Sequence, residues 1–568
     1  MESPALSALG SQKRAARCSG AMGWLSAMLL VLPLFFSGGF WGCANPVAPS
    51  GGPRDTLPPR LDTTLSTPNF QTHFQKQRIE LQFDEWVQLK DVFQQVVVSP
   101  PLEYPPKIYI RKKAVRFEFD EREELRPDAT YVINFGEAIR DLTENNPAEL
   151  VFVFSTGAYI DSLQVEGHVV DAFSGEPVPE VLFLLYENPA DSVIFTERPF
   201  YFGRTDEQGF FRIANVKSGR FKGLALDDEN LNYLYDGEGE AIGFLDSLLV
   251  VSDSVQPRLL VRLFREEPPL FLRSREVPQP GLVRLVFNRP PFDARLEVPD
   301  SLQPVFSEAE KDTLRLWHAG LPRAPWNLLL LRDTLRDTIL LEPPASIEYP
   351  PLRLTPPKTR PREVLPGRAL ALKLARPLAR VDTAAIRLLE DSLRIPVPVQ
   401  ARVDSLHPRT LLLDFPRKAG ASYELRLLPG ALTDWWGQSN ADTLHHAFKA
   451  LAREDLASLT LQIEGLDSAL HYVVRLLKEK ETEPLREFRV ARRSTWQRTF
   501  DLLHPGNYRV EIIEDRNADG RWTTGNYRLH RQPERRFLQT LEPLRANWEV
   551  NVTLIPDFSV KLPAKQTF

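Results

Sequence analysis

Ile79-Glu-Leu-Gln-Phe83 alternates apolar and polar side chains, the period of a half-buried strand. The same signal returns in Val96-Val-Val98, Lys107-Ile-Tyr-Ile110, Ala114-Val-Arg-Phe-Glu-Phe119, Tyr131-Val-Ile-Asn-Phe135 and Leu150-Val-Phe-Val-Phe154. Pro100-Pro101, Pro105-Pro106 and the loop 140–147 separate these runs. About seven short strands in a hundred residues describe a β-sandwich. Leu125-Arg-Pro-Asp-Ala-Thr-Tyr131 adds a tyrosine that enters a late strand after a proline-containing corner. Such a tyrosine returns its hydroxyl to the backbone, as tyrosine corners do.

Leu81-Gln-Phe-Asp-Glu-Trp-Val87, that corner, Ile139-Arg-Asp-Leu-Thr-Glu-Asn-Asn146 and Phe152-Val-Phe-Ser-Thr156 together resemble the SbsA Ig-like domain. This bacterial module is frequent in exported proteins and recurs at the N-terminus of lipoproteins of Bacteroidetes type. The resemblance covers roughly residues 55–157. It implies a structural role and carries no catalytic residue over.

Upstream, Lys13, Arg14 and Arg17 precede the apolar run 24–36, and small residues lead to Cys43. That is the layout of a secretory signal, too short for a comfortable membrane span. Ending on Gly42-Cys43, it resembles a bacterial lipoprotein signal, which implies that Cys43 is lipidated and becomes the mature N-terminus. Residues 44–60 are a Pro/Gly-rich tether. The chain is therefore expected in the cell envelope, at the outer membrane, held to the membrane by an N-terminal lipid.

At 568 residues the chain exceeds a single core. Three of its 70 basic and one of its 75 acidic side chains lie in residues 1–43, so the remainder carries 67 against 74. Nothing there suits nucleic acid, which wants a basic face. The only cysteines are Cys18 and Cys43, so no disulfide forms within the mature chain. Its modules hold together by apolar burial. Forty-nine prolines cut the chain into short pieces, which favours strands over helices.

Residues 158–268 change character. Val165-Glu-Gly-His-Val-Val-Asp-Ala-Phe-Ser-Gly175 and Arg204-Thr-Asp-Glu-Gln-Gly-Phe-Phe-Arg-Ile213 resemble the carboxypeptidase regulatory-like, or transthyretin-like, sandwich. In that family the module is an accessory. Residues 269–349 form a β-rich block of no named family. Residues 350–450 read as a second, degenerate Ig-like copy. Its run 370–378 matches 79–87, Tyr423 matches Tyr131, and 432–440 matches 139–146, but the corner proline is missing. Residues 455–555 read as a second transthyretin-like sandwich, because 503–517 resembles 216–230. The fold class is all-β, and this order of tandem sandwiches implies a rod.

Chemistry is sparse. Nine histidines are scattered, and only His445 and His446 are close. On a strand those two point to opposite faces and share no ion. Asp515, Asn517 and Asp519, followed by Gly520, have oxygens at EF-hand spacing, but position 12 is Asn526 where a bidentate Glu belongs. The alternatives are a calcium site and an Asx-rich turn. No other cofactor is expected. Trp435-Trp436 is either a stacking platform for a sugar or peptide ring, or core filling. The functional expectation is a non-catalytic scaffold for an envelope protein or glycan. The alternatives are a polysaccharide- or peptide-processing enzyme with its site at a domain junction, and a calcium-stiffened adhesin. A pocket that gathers two or more carboxylates and histidines would favour the enzyme.

Overall fold

A computed structural model describes residues 56–559 except 238, 254–257, 333–334, 345–347, 356–360 and 391–392. Cys43, the signal and tether residues 44–55 lie outside the described residues. The described chain is built of strands, with only short helical turns such as Val92–Gln95 and Val193–Thr196.

In the first module Ile79–Gln82, Ala114–Glu118 and Lys107–Arg111 form one three-stranded sheet, in that order. Val97–Ser99, Thr130–Asn134 and Val151–Ser155 form the facing sheet, and Val87–Leu89 pairs with Ile139–Asp141 at the rim. Alternation sends Ile79, Leu81, Phe117, Ile133, Phe152 and Phe154 into one core. Each such side chain contributes about 1.5–3 kcal/mol. The Tyr131 ring stacks on Phe154, with centroids 5.1 Å apart. Its hydroxyl accepts the Arg126 N–H at 2.8 Å, the expected corner.

The second module departs from two separate sheets. Its strands form one continuous eight-stranded sheet that carries Tyr201–Arg204 at one end and Phe210–Val216 at the other. Leu182–Tyr186 is buried at every residue. Phe183 and Leu185 face the inner core, whereas Leu182, Leu184 and Tyr186 face a second apolar cluster on the opposite side. A run of apolar residues without alternation is what a strand covered on both faces requires.

Residues 269–349 make a four-stranded and a three-stranded sheet over one core. The fourth module repeats every strand of the first and adds Glu363–Val364 and Ile395–Val397 at the edges of its second sheet. Leu370–Lys373, Thr410–Asp414 and Gln400–Val403 stand for the first sheet. Ile386–Glu390, Ser422–Leu427 and Leu444–Ala450 stand for the second, and Leu378–Val381 with Leu432–Asp434 for the rim pair.

The last module repeats the pairing of the second. Ala457–Ile463 lies antiparallel to Trp496–Leu503 and parallel to Glu549–Leu554. In the second module Leu163–Asp171 likewise lies antiparallel to Phe210–Val216 and parallel to Arg258–Arg265.

Contacts also join modules that do not follow one another in the chain. The connection 516–535 of the last module lies against the second one, where Tyr527 is buried in the cluster with Leu184 and Phe264. The outer face of the second module is apolar, and this loop is part of what shields it from water.

Candidate functional site

The loop between Tyr508–Asp515 and Arg536–Thr540 is organised from within. Asp515 accepts the N–H groups of Asp519 and Gly520 at 3.0 and 2.9 Å. Asn517 Oδ1 accepts the Asp519 N–H, and Asp519 Oδ1 the Arg521 N–H. Thr523 and the Asn517 amide donate to Asp519 Oδ2. The oxygens that would ligate calcium therefore already serve as turn acceptors. Among the described residues no group of three or more His, Cys, Asp or Glu is placed to hold a metal ion.

Glu534 closes the loop. Its carboxylate accepts the N–H groups of Arg516 and Thr523 at 2.8 and 2.9 Å. Burial pushes this carboxyl up to about 7; the two N–H groups pull the other way, and Asp515 and Asp519 repel its charge. A raised carboxyl contributes stability that is complete below its unfolded value and lost as pH rises through the folded one.

The organised loop grips the second module along its length. Thr524 Oγ1 donates to the Arg265 carbonyl at 2.8 Å, and the Tyr527 N–H to Glu266 at 2.5 Å. His530 meets Asp191 at 3.0 Å, and Gln532 donates to the Phe244 carbonyl at 2.9 Å. Gly525 lies so close to Phe264 that a Cβ there would stand 2.3 Å from the ring, so only glycine allows this approach.

Between loop and module lies a cleft of about 570 Å³, lined by Asp171, Phe173, Asp227, Arg265, Glu267 and Trp522 among others. That volume is within the range of small-molecule sites. Trp522 meets the Phe173 ring edge-on at 5.0 Å, and the Arg536 guanidinium covers the same ring at 4.0 Å. Three carboxylates converge here, and each is engaged. Asp171 accepts the N–H groups of Phe173 and Ser174 at 3.1 and 2.7 Å. Asp227 pairs with Arg265 at 3.3 Å, and Glu267 with Arg521 at 2.9 Å and Arg289 at 3.5 Å. A general base or nucleophile must reach its substrate with its acceptor side open. Asp171 and Asp227 are held through one oxygen each and Glu267 through an arginine fork, while the aromatic edges add a surface suited to contact.

Trp435 and Trp436 are half-buried at a different junction. Trp436 stacks on Tyr349 at 5.5 Å, and a Cβ at Gly281 would lie 2.1 Å from its ring. Trp436 therefore joins the third module to the fourth, and Trp435 meets its ring edge-on. Beside it Arg376 and Asp434 form a buried ion pair at 3.0 Å. Sequence reasoning missed Tyr527 and Arg376. A connection of about twenty residues between neighbouring strands is long enough to ask what it covers.

A sequence model of the bacterial Ig-like domain matches residues 55–156. No curated protein matches the chain. Among solved structures, the chain is similar to the S-layer protein rSbsC(31-844), at 10% identity over 81% of this chain and 65% of that one, TM-score 0.15. It spans 65% of that S-layer protein's length. It is similar also to the Bacillus anthracis TIE protein, at 9% identity over 89% and 76%, TM-score 0.14. A third is the D312A form of BcpA, the major pilin subunit of Bacillus cereus, at 10% identity over 69% and 99%, TM-score 0.13. Likeness at this level transfers neither an activity nor a partner.

Proposed function

We propose that the protein is a non-catalytic component of the bacterial cell envelope, attached by a lipid on Cys43, whose linked β-modules act as a scaffold for an envelope protein or glycan. The observation that carries this reading is the state of the cleft. Its carboxylates are tied to backbone N–H groups and arginines that brace the walls, while its aromatic edges remain available for contact. The bacterial Ig-like match at 55–156 supports the envelope address, and the Gly42-Cys43 ending supports the anchor. Several acyl chains hold a protein at a membrane nearly permanently, where one does not.

Intact-mass analysis of the N-terminal peptide from detergent-extracted membranes tests the anchor. A peptide beginning at Cys43 with the mass of acyl chains is expected; an unmodified Cys43 overturns it. A second reading, an enzyme acting on envelope polysaccharide or peptide, draws on the convergence of Asp171, Asp227 and Glu267. Release of soluble fragments from purified envelope by the wild-type protein, abolished in Asp227→Asn, would replace the scaffold reading with that one.

A further inference from the structure

The internal repeat exposes a corner that one copy covers and the other leaves open. In the fourth module the corner joins Pro377 to Trp435, whose N–H donates to the Pro377 carbonyl at 3.2 Å. Its next residue, Trp436, is packed under Tyr349 and Gly281 of the third module. In the first module the equivalent bond runs from the Leu142 N–H to the Trp86 carbonyl at 3.0 Å. The register makes the two corners equivalent, because Val87 pairs with Asp141 as Leu378 pairs with Asp434. Here, however, Trp86 is 55% and Leu142 56% exposed.

Two more apolar side chains are exposed on the N-terminal segment of the same module. Asn146 donates to the Leu57 carbonyl at 3.2 Å, which brings Leu57, 56% exposed, to the same end. The turn after Asp62, held to Gln82 by the Asp62 N–H, presents Leu65 at 68% exposure. The backbone bond sets Trp86 and Leu142 side by side across the rim pair, and large apolar side chains exposed together in this way mark a contact site.

We infer that this corner seats the first module on the lipid bilayer, with Trp86 and Leu142 at the headgroup boundary. The inference rests on the anchor reading of Cys43. The Leu57 carbonyl is held at this corner by Asn146, and only thirteen residues separate Leu57 from Cys43. Fully extended, that length spans at most about 50 Å. The corner is thus where the tether joins the module. Tryptophan favours the membrane interface, where an apolar ring meets a wet boundary. Nearby charges are mixed, with Arg60, Lys113 and Arg140 against Asp84, Glu85 and Glu144. Seating is therefore apolar and independent of anionic lipid.

The lipidated full chain, reconstituted in phosphatidylcholine vesicles with brominated acyl chains, reads the contact directly. Quenching greater in the wild type than in Trp86→Phe is expected; equal quenching in the two overturns the inference. The unlipidated mature chain, begun at residue 44 and so without the apolar run 24–36, gives the second arm, with fold checked by circular dichroism. Its partition onto plain phosphatidylcholine vesicles is expected to fall about tenfold in Trp86→Ser/Leu142→Ser and to survive high salt. Partition unchanged by the double substitution, or abolished by salt, overturns the inference. The mass of the native Cys43 peptide reports the anchor separately, so the two readings fail independently.

Discussion

In the first Ig-like copy, Asp141 at the rim accepts the N–H groups of Thr143, Glu144, Asn145 and Asn146, three of them at 2.7–2.9 Å. In the second copy, Asp434 at the matching position accepts, among the described residues, the N–H groups of Trp436 and Gln438, at 3.0 and 2.8 Å. Its other oxygen faces Arg376 at 3.0 Å, and Glu85 occupies the position of Arg376 in the first copy. Burial pushes both carboxyls up. Four N–H groups outweigh it at Asp141 and leave that group below its ordinary 3.8. At Asp434 burial wins over Gln438, Arg376 and Trp436, and the group ends above 3.8. One strand plan thus tolerates two electrostatic solutions. The solution with fewer backbone donors needs a cation that must itself be buried, at 2% exposure.

The largest effect should come from breaking the solution that depends on charge pairing. Asp434→Ala strands the Arg376 guanidinium and should destabilise the fourth module by about 3–5 kcal/mol. Asp141→Ala leaves N–H groups to water at a rim and should cost about 2 kcal/mol. Arg376→Met/Asp434→Asn keeps an oxygen for the two N–H groups and should recover most of the loss, which a double-mutant cycle measures. Equal costs for the two alanine substitutions would mean that Arg376 contributes nothing to the corner. Because several modules unfold in one chain, the readout is hydrogen exchange of peptides 79–87 and 370–378 in the full protein.

Acidification should separate the copies with a smaller effect. The lowered pKa of Asp141 gives stability that is present above 3.8 and lost as pH falls through the folded value. The raised pKa of Asp434 gives stability complete below 3.8 and lost as pH rises through the folded value. Between neutral pH and acid below 3.8, protection of 79–87 should fall relative to 370–378, after correction for intrinsic rates. Protection that moves in parallel would show that the two carboxyls titrate alike.

Local pattern carried most of the fold and little of the site. Alternation at Ile79–Gln82 and Leu370–Lys373 placed strands with period two, and the period was enough to find the repeat without its proline. The Tyr131 corner was legible because its bond lies five residues away in sequence. Tyr423 with Lys418 and Tyr472 with Asp467 use the same spacing at 2.8 and 2.9 Å. The cleft was not legible, because Phe173 and Trp522 meet across some 350 residues of chain and no period encodes that contact. One trace was available. Val181-Leu-Phe-Leu-Leu-Tyr186 lacks alternation, which states that both faces are covered and leaves open by what. The Trp435-Trp436 pair was visible as chemistry, but its partner Gly281 sits in another module.

The smallest expected difference tests whether the missing proline matters. Tyr131 and Tyr423 are both buried, stack on Phe154 and Phe448 at 5.1 and 5.6 Å, and accept one N–H at 2.8 Å. Tyr→Phe at either site keeps the ring and removes the acceptor, which should cost about 1 kcal/mol. Pro127 restricts the unfolded chain of the first copy, where Ala419 leaves the second free. That restriction acts on the unfolded state and does not depend on the hydroxyl. Tyr131→Phe and Tyr423→Phe should therefore cost the same within a few tenths of a kcal/mol. A clearly larger loss for Tyr423→Phe would mean that Pro127 holds the native corner itself, and that the first copy has two fastenings where the second has one.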